Sequence, residues 1–251
     1  MKKILSLMRR AVEDYDMIHD GDKIAVGCSG GKDSTLMLLA LHRLSKFYPQ
    51  KFSVVGITID PGSGMDFTPL KELCKKEGIE YIVKQTQIYD IVFNVTKQEN
   101  PCSLCARMRR GALNDEAKAA GCNKIALGHH NDDVLETFML NLVHEGRIGC
   151  FQPVTYLSRI DLTVLRPMVY IEEREVKSSV RRTEIPVIQN PCPADGYTQR
   201  EEMKKLLKNM DTEYKGFKVR LFGALKRSEI DGWGVIKSNQ NEDKFENKFS
   251  N

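Results

Sequence analysis

The chain has 251 residues, 41% of them hydrophobic and 29% charged, with a formal net charge of +4. That length buries a core without cross-links, which excludes a small disulfide-stapled fold and leaves one soluble domain or one domain with an appendage. The weak positive balance permits a nucleic-acid partner without demanding one, and no apolar run approaches the roughly 20 residues that cross a bilayer.

The N-terminal MKKILSLMRRAVEDYD has Arg9, Arg10 and acidic residues interrupting its apolar stretch. It reads as an amphipathic helix, not a secretory signal, so a cytoplasmic, non-membrane protein is expected. KIAVG (23–27), FSVVGITID (52–60), EYIVKQT (80–86) and NKIALGHH (123–130) are short and rich in Val and Ile, the pattern of buried strands. Helical stretches lie between and after them at 34–47, 65–77, 104–120 and 133–144. Further on, TVLRPMVY (163–170) predicts a strand and EEREVKSSVRRT (172–183) a polar helix. The turn-rich IPVIQNPCPADG follows, then lysine-bearing helices at 199–210 and 217–226. The polar SNQNEDKFENKFSN reads as a disordered tail.

Strand–helix alternation predicts an α/β fold, a doubly wound parallel sheet with additional N- and C-terminal helices. The expected organisation is a helix over 1–20, the α/β domain over 21–170, a helical extension over 171–235 and the tail over 236–251. Ligands of such sheets bind beyond the carboxyl ends of the strands. SGGKDS, Asp60-Pro61-Gly62 and GHHNDD all fall at such ends, which points to one composite site.

AVGCSGGKDST (25–35) resembles a phosphate loop but lacks the G-x-x-x-x-G-K-[ST] spacing: the first glycine would fall at Val26, and Asp33 follows Lys32. A strand-to-helix turn of this composition exposes successive amides at a helix N-terminus, which favours an anion. Gly30 and Gly31 allow close approach, Lys32 adds charge, and Ser29 and Ser34 add hydroxyls. Asp33 suits a cap or a nucleotide-bound metal. Cys102 and Cys105 form a C-x-x-C pair at the start of a helix, and Cys192 lies in a turn between prolines. By spacing alone these thiols fit zinc, an iron–sulfur cluster, a redox dithiol or a persulfide carrier. Cys28, Cys74, Cys122 and Cys150 read as small buried apolar residues. Asp132 and Asp133 open a helix three residues before Glu136, which is either a capping arrangement or a pair of carboxylates for magnesium. His129 and His130 suit either packing or substrate contact. Arg107, Arg109 and Arg110 are candidate RNA contacts. Arg181, Arg182, Lys204, Lys205, Lys215, Lys218, Arg220, Lys226 and Arg227 extend the basic character through the second half, as solvated helix faces or as part of an RNA surface.

SGGKDS after an apolar strand resembles the PP-loop of the ATP pyrophosphatase superfamily. Joined to CSLCARMRR, GHHNDDVLETFMLN, LRPM and NPCP in that order, it resembles the tRNA 2-thiocytidine synthetase family over roughly residues 20–225. One departure is CPAD, where that family commonly shows a second cysteine. The resemblance implies ATP and Mg2+ at Ser29, Gly30, Gly31, Lys32, Asp33 and Ser34, with Ile59 and Gly128 also at the nucleotide. It implies a [4Fe–4S] cluster on Cys102, Cys105 and Cys192, and active-site roles for Lys32, Asp33, Asp132 and Asp133. The implied activity is ATP-dependent 2-thiolation of an anticodon-loop cytidine in tRNA. The sulfur donor would be a cysteine desulfurase or inorganic sulfide, and the enzyme a homodimer. Uridine as the target, a persulfide route and a nucleotide-binding redox sensor are the alternatives.

Overall fold

The computed structural model describes residues 1–96, 101–188 and 199–234. The expected tail over 236–251 lies outside them. Helix α1 (Lys2–Asp14) buries Ile4, Met8, Ala11 and Val12, one apolar stripe at helical spacing. Strand β1 (Lys23–Gly27) runs through the centre of the sheet. Helix α2 (Lys32–Ser45) follows, buried throughout residues 34–42, so it is a core helix. Then come β2 (Ser53–Asp60), α3 (Thr68–Glu77) and β3 (Glu80–Gln85). The short α4 (Ile88–Asp90) runs on into a π-helical turn at Ile91–Val95. Helix α5 (Pro101–Ala119), β4 (Lys124–Ala126) and α6 (Asn131–His144) complete the central units. The hairpin of β5 (Val154–Leu157) and β6 (Leu162–Leu165) is followed by α7 (Glu173–Thr183), α8 (Gln199–Glu213) and α9 (Phe217–Lys226).

The six strands are ordered β3-β2-β1-β4-β6-β5. All neighbours are parallel except β5, which pairs antiparallel with β6 at the edge. Side chains alternate across the sheet. Ile24 and Val26 join the core beneath α1, α2 and α7, while Ala25 joins the opposite layer beneath α5. Helices therefore cover both faces, as the strand–helix alternation implied.

Two strands are shorter than their apolar runs suggest. The run at 123–130 forms a ladder only over Lys124–Ala126, because at Gly128 the backbone turns against the start of α2. The run at 163–170 stays in the sheet only to Leu165. Pro167 has no amide to continue the ladder, and the chain folds into turns in which Val169 N–H donates to Arg166 O and Ile171 N–H to Met168 O.

Candidate active site

Strand β1 continues into β2 on one side, while β4 lies on its other side. This reversal opens a crevice between the carboxyl ends of β1 and β4. Residues 29–34 line it from β1, and GHHNDD lines it from β4. Two glycines permit the approach. A Cβ on Gly128 would stand 3.2 Å from Ser34 N and 3.3 Å from the Asp33 carbonyl carbon, both backbone atoms that cannot swing aside. Gly30 has φ +81°, a conformation that favours glycine. A Cβ there would meet Ile188 Cβ at 2.9 Å.

The turn is wired from within. Ser29 N–H donates to Ser34 Oγ (3.1 Å), the two hydroxyls lie 3.2 Å apart, and Gly31 N–H donates to Ser29 Oγ (3.3 Å). Gly31 is the N-cap of α2 and offers no side chain to its amides. The first-turn N–H groups, which have no intrahelical partner, therefore face the crevice for an anion. Lys32 Nζ sits between Asp33 Oδ2 (2.8 Å) and Glu173 Oε1 (3.4 Å). Burial opposes its charge, but these carboxylates outweigh burial and hold its pKa above the usual lysine value. Glu173 also meets Lys177 and Lys204, each at 3.1 Å. Burial would raise its pKa, yet the lysines pull it down to about 2.

The carboxylates after β4 are structurally engaged. His130 caps α6: its ring accepts Asp133 N–H, and Asp133 Oδ2 accepts His130 N–H at 2.9 Å. The capping box thus joins His130 to Asp133, whereas the sequence offered Asp132, Asp133 and Glu136. Asp133 Oδ1 meets Arg200 at 3.3 Å. Asp132 Oδ2 accepts the Glu173 N–H at 2.6 Å, and its other oxygen pairs with Lys218. Burial disfavours the Asp132 charge, but these donors hold its pKa below the usual value. Asp33 differs. Among the described residues its buried Oδ1 has no hydrogen-bond donor, and His130 Nε2 stands 3.8 Å from it.

Glu136 lies deeper, with Arg200 at 3.5 Å. Burial and the Asp133 charge raise its pKa from 4.5 to about 7. Because the folded form binds this proton more tightly, stability falls as pH rises from 4.5 through about 7. Glu136→Gln is therefore expected to raise the melting temperature of the free protein at pH 8 and to leave it nearly unchanged at pH 4. The gain is on the order of 1 kcal/mol, allowing for solvent screening and the Arg200 pair. Thermal melts of both proteins across that range check the sign.

A cavity of about 360 Å³ opens beside the glycine turn, within the size range of small-molecule sites. Ile57, Ile59, Leu113 and Leu127 supply apolar walls, Ser29 and His129 its inner end, and Arg109 and Arg110 the α5 side. Ile59, expected above at the nucleotide, is one of these wall residues. Arg109 and Arg110 face this cavity, while Arg107 is exposed on the same helix. The His129 ring lies on Phe151 with centroids 4.9 Å apart, and Arg166 covers Phe151 at 5.0 Å. Burial, then Arg166, depress the His129 pKa to about 4, so the ring is neutral near pH 7, and among the described residues its buried Nδ1 has no partner.

Cys102 is exposed and Cys105 half-buried in the first turn of α5. Three residues apart, they lie on one helix face. Cys192 lies outside the described residues, but the residues flanking its segment are anchored at the crevice. Ile188 N–H donates to Gly30 O at 2.9 Å, and Arg200 reaches Asp133 and Thr137. Among the described residues no group of three or more His, Cys, Asp and Glu side chains forms a metal site. Cys28, Cys74, Cys122 and Cys150 are buried. Burial raises the thiol of Cys74 to about 11 and that of Cys150 to about 12, as expected of inert core cysteines.

Sequence reading missed Glu173 and Arg200, and took Lys204 and Lys218 only as members of a basic surface without their pairs to Glu173 and Asp132, because partners so distant in the chain leave no local spacing. Arg166 had only the LRPM match as a signal.

A family model described as the PP-loop domain matches residues 2–210. The chain is 40% identical over 228 residues to a tRNA-cytidine(32) 2-sulfurtransferase of Geobacter sulfurreducens, covering 89% of each chain. It is 37% identical to one from Ralstonia nicotianae, covering 89% of this chain and 72% of that one. Its fold is similar to that of the U34-tRNA thiolase NcsA from Methanococcus maripaludis, solved with its [4Fe-4S] cluster. That match has a TM-score of 0.71 at 26% identity, over 85% of this chain and 74% of that chain. On the strand-edge crevice, its PP-loop and these similarities, the chain belongs to the PP-loop tRNA-cytidine(32) 2-sulfurtransferase family.

Proposed function

We propose that this protein adenylates the C2 oxygen of an anticodon-loop cytidine in tRNA and replaces that oxygen with sulfur, giving 2-thiocytidine. The observation that carries this reading is the convergence of three segments on one sheet edge: the glycine turn, GHHNDD, and the two residues that bracket the Cys192 segment. Ile188 is hydrogen-bonded to Gly30 and Arg200 to Asp133, so the described residues on either side of that segment both stand at the crevice.

In this reading the adenine occupies the cavity walled by Ile57, Ile59, Leu113 and Leu127. The first-turn amides of α2, Lys32, Ser29 and Ser34 hold the phosphates. Asp33 fits Mg2+ better than Asp132 or Asp133 do, since its buried Oδ1 has no donor among the described residues; those two aspartates fix the geometry around it. The C2 oxygen attacks the α-phosphorus, the bond to the β-phosphate oxygen breaks, and pyrophosphate leaves with the electron pair into the loop. Sulfide then adds at C2, the carbon–oxygen bond breaks, and AMP departs in place of a poor oxygen leaving group. Cys102 and Cys105, one turn apart on α5, fit two positions of a thiolate set completed by Cys192, and a [4Fe–4S] cluster there would supply inorganic sulfur beside the activated base. Arg107 is left for RNA contact, with Arg109 and Arg110 shared between RNA and nucleotide.

The reading includes a cytoplasmic homodimer and either a cysteine desulfurase or inorganic sulfide as donor. No helix among the described residues is long and apolar enough to cross a membrane. The test is anaerobic purification with iron and sulfide analysis, together with mass spectrometry of tRNA from a strain lacking the protein. Loss of 2-thiocytidine, restored by the gene, is the expected result. An unchanged thionucleoside profile would discard the reading.

A further inference from the structure

Two open grooves meet on the face of α7. One, of about 730 Å³, lies between α6, α7, α8 and α9 and is lined in part by Asp132, Glu173, Lys204, Lys208 and Lys218. The other, of about 410 Å³, is lined by Arg174, Lys177, Ser178, Arg181 and Arg182. Arg174 and Lys177 line both, so the surface is continuous. Of its carboxylates, Glu173 is neutralised by Lys32, Lys177 and Lys204, Asp132 by Lys218, and Glu172 by Arg174. Asp211, which also lines the groove, accepts the Lys218 backbone N–H at 2.9 Å. Arg181, Arg182 and Lys208 are exposed, and no carboxylate among the described residues pairs with them.

Two cations at the end of a helix would by themselves serve only its dipole. Here Arg174, Lys177 and Arg181 recur at one helical face over about 10 Å of α7. Lys208 continues the row on α8. A small anion is held by donors that converge, whereas a row of separated cations suits a polymer of repeating phosphates. The row ends at Glu173, which touches Lys32 of the glycine turn. A polyanion lying along it would have its adjoining loop delivered to the crevice.

We propose that the α7–α8 face is the phosphate-backbone track for the tRNA substrate, separate from the α5 arginines. This rests on the tRNA reading above. The test compares the intact protein with Arg181→Gln/Arg182→Gln and with Lys208→Gln, measuring affinity for an unmodified tRNA transcript across a salt series. Three lost contacts would make the combined salt slope shallower by about 2, with affinity down roughly tenfold at fixed salt. Lys75→Gln/Lys76→Gln, on exposed α3, is expected to stay within about twofold of the parent. Binding of inorganic pyrophosphate is expected to be unchanged in all of them. An unaltered tRNA slope in the track variants overturns the track while leaving thiolation standing. An equal loss of pyrophosphate binding also overturns it, because the arginines would then act through the loop. Absence of tRNA binding by the unmodified protein would sink both readings.

Discussion

Serine in place of Cys102 or Cys105 is expected to lower thiolation by more than about 100-fold, beyond the loss typical of an outer-shell partner, and to leave nucleotide binding intact. The two effects separate because the thiols sit at the open end of α5. Cys102 is exposed, Cys105 half-buried, and the helix is anchored by Leu104, Met108 and Leu113. A change of sulfur to oxygen there costs little stability. The same change at Cys150 should do the reverse. That thiol is buried and donates to Val134 O at 3.3 Å, so Cys150→Ser is expected to lower the melting temperature without removing iron. Iron content, melting temperature and thiolated tRNA, measured together on the three variants, check this. Full activity in the Cys102 variant would end the cluster assignment.

Lys32→Ala should slow the adenylation step by about 10²–10³-fold, the cost of removing one preorganised charge from a developing phosphate anion. The fold should barely register it. The Lys32 side chain is 28% exposed in its pairs with Asp33 and Glu173, and such pairs are worth roughly 0–1 kcal/mol. Glu173 keeps Lys177 and Lys204, and Asp33, which loses its Lys32 partner, has a side chain 29% exposed that water can still reach. A melting shift of at most about 4 °C is expected for a chain of this size. Rapid-quench measurement of tRNA-dependent pyrophosphate release reads the chemical step. An unchanged release rate would remove Lys32 from the mechanism, and a collapsed melting temperature would give it a structural role.

Much of the α/β framework was legible because its central strands are buried on both faces, and continuous Val and Ile runs such as KIAVG announce that. The glycine turn was legible for a similar reason: SGGKDS has a meaning only where a strand meets a helix. What failed to show was pairing across distance. Charge complementarity has no period, so nothing near Asp132 signals Lys218, and nothing near Lys32 signals Glu173. Strand ends were misplaced where one backbone feature overrode apolar content, at Pro167 through its missing amide and at Gly128 through close backbone contact. The β5 edge strand was overlooked because it is four residues long and leaves Tyr156 exposed. The cap of α6 was misread because the helix begins at Asn131, which hands the capping position to His130.

The bond from Ile188 to the Gly30 carbonyl reaches further than its 2.9 Å. A peptide unit is planar, so fixing the Gly30 oxygen also orients the Gly31 amide on the opposite side. The SGGKDS hexapeptide thus owes part of its orientation to a residue from the distant second half of the polypeptide. Excised with its own strand and helix, it would keep its internal hydrogen bonds and lose the one that orients the Gly30–Gly31 peptide. Grafting and truncation experiments that treat it as a portable cassette should find it silent unless the crossing segment travels with it.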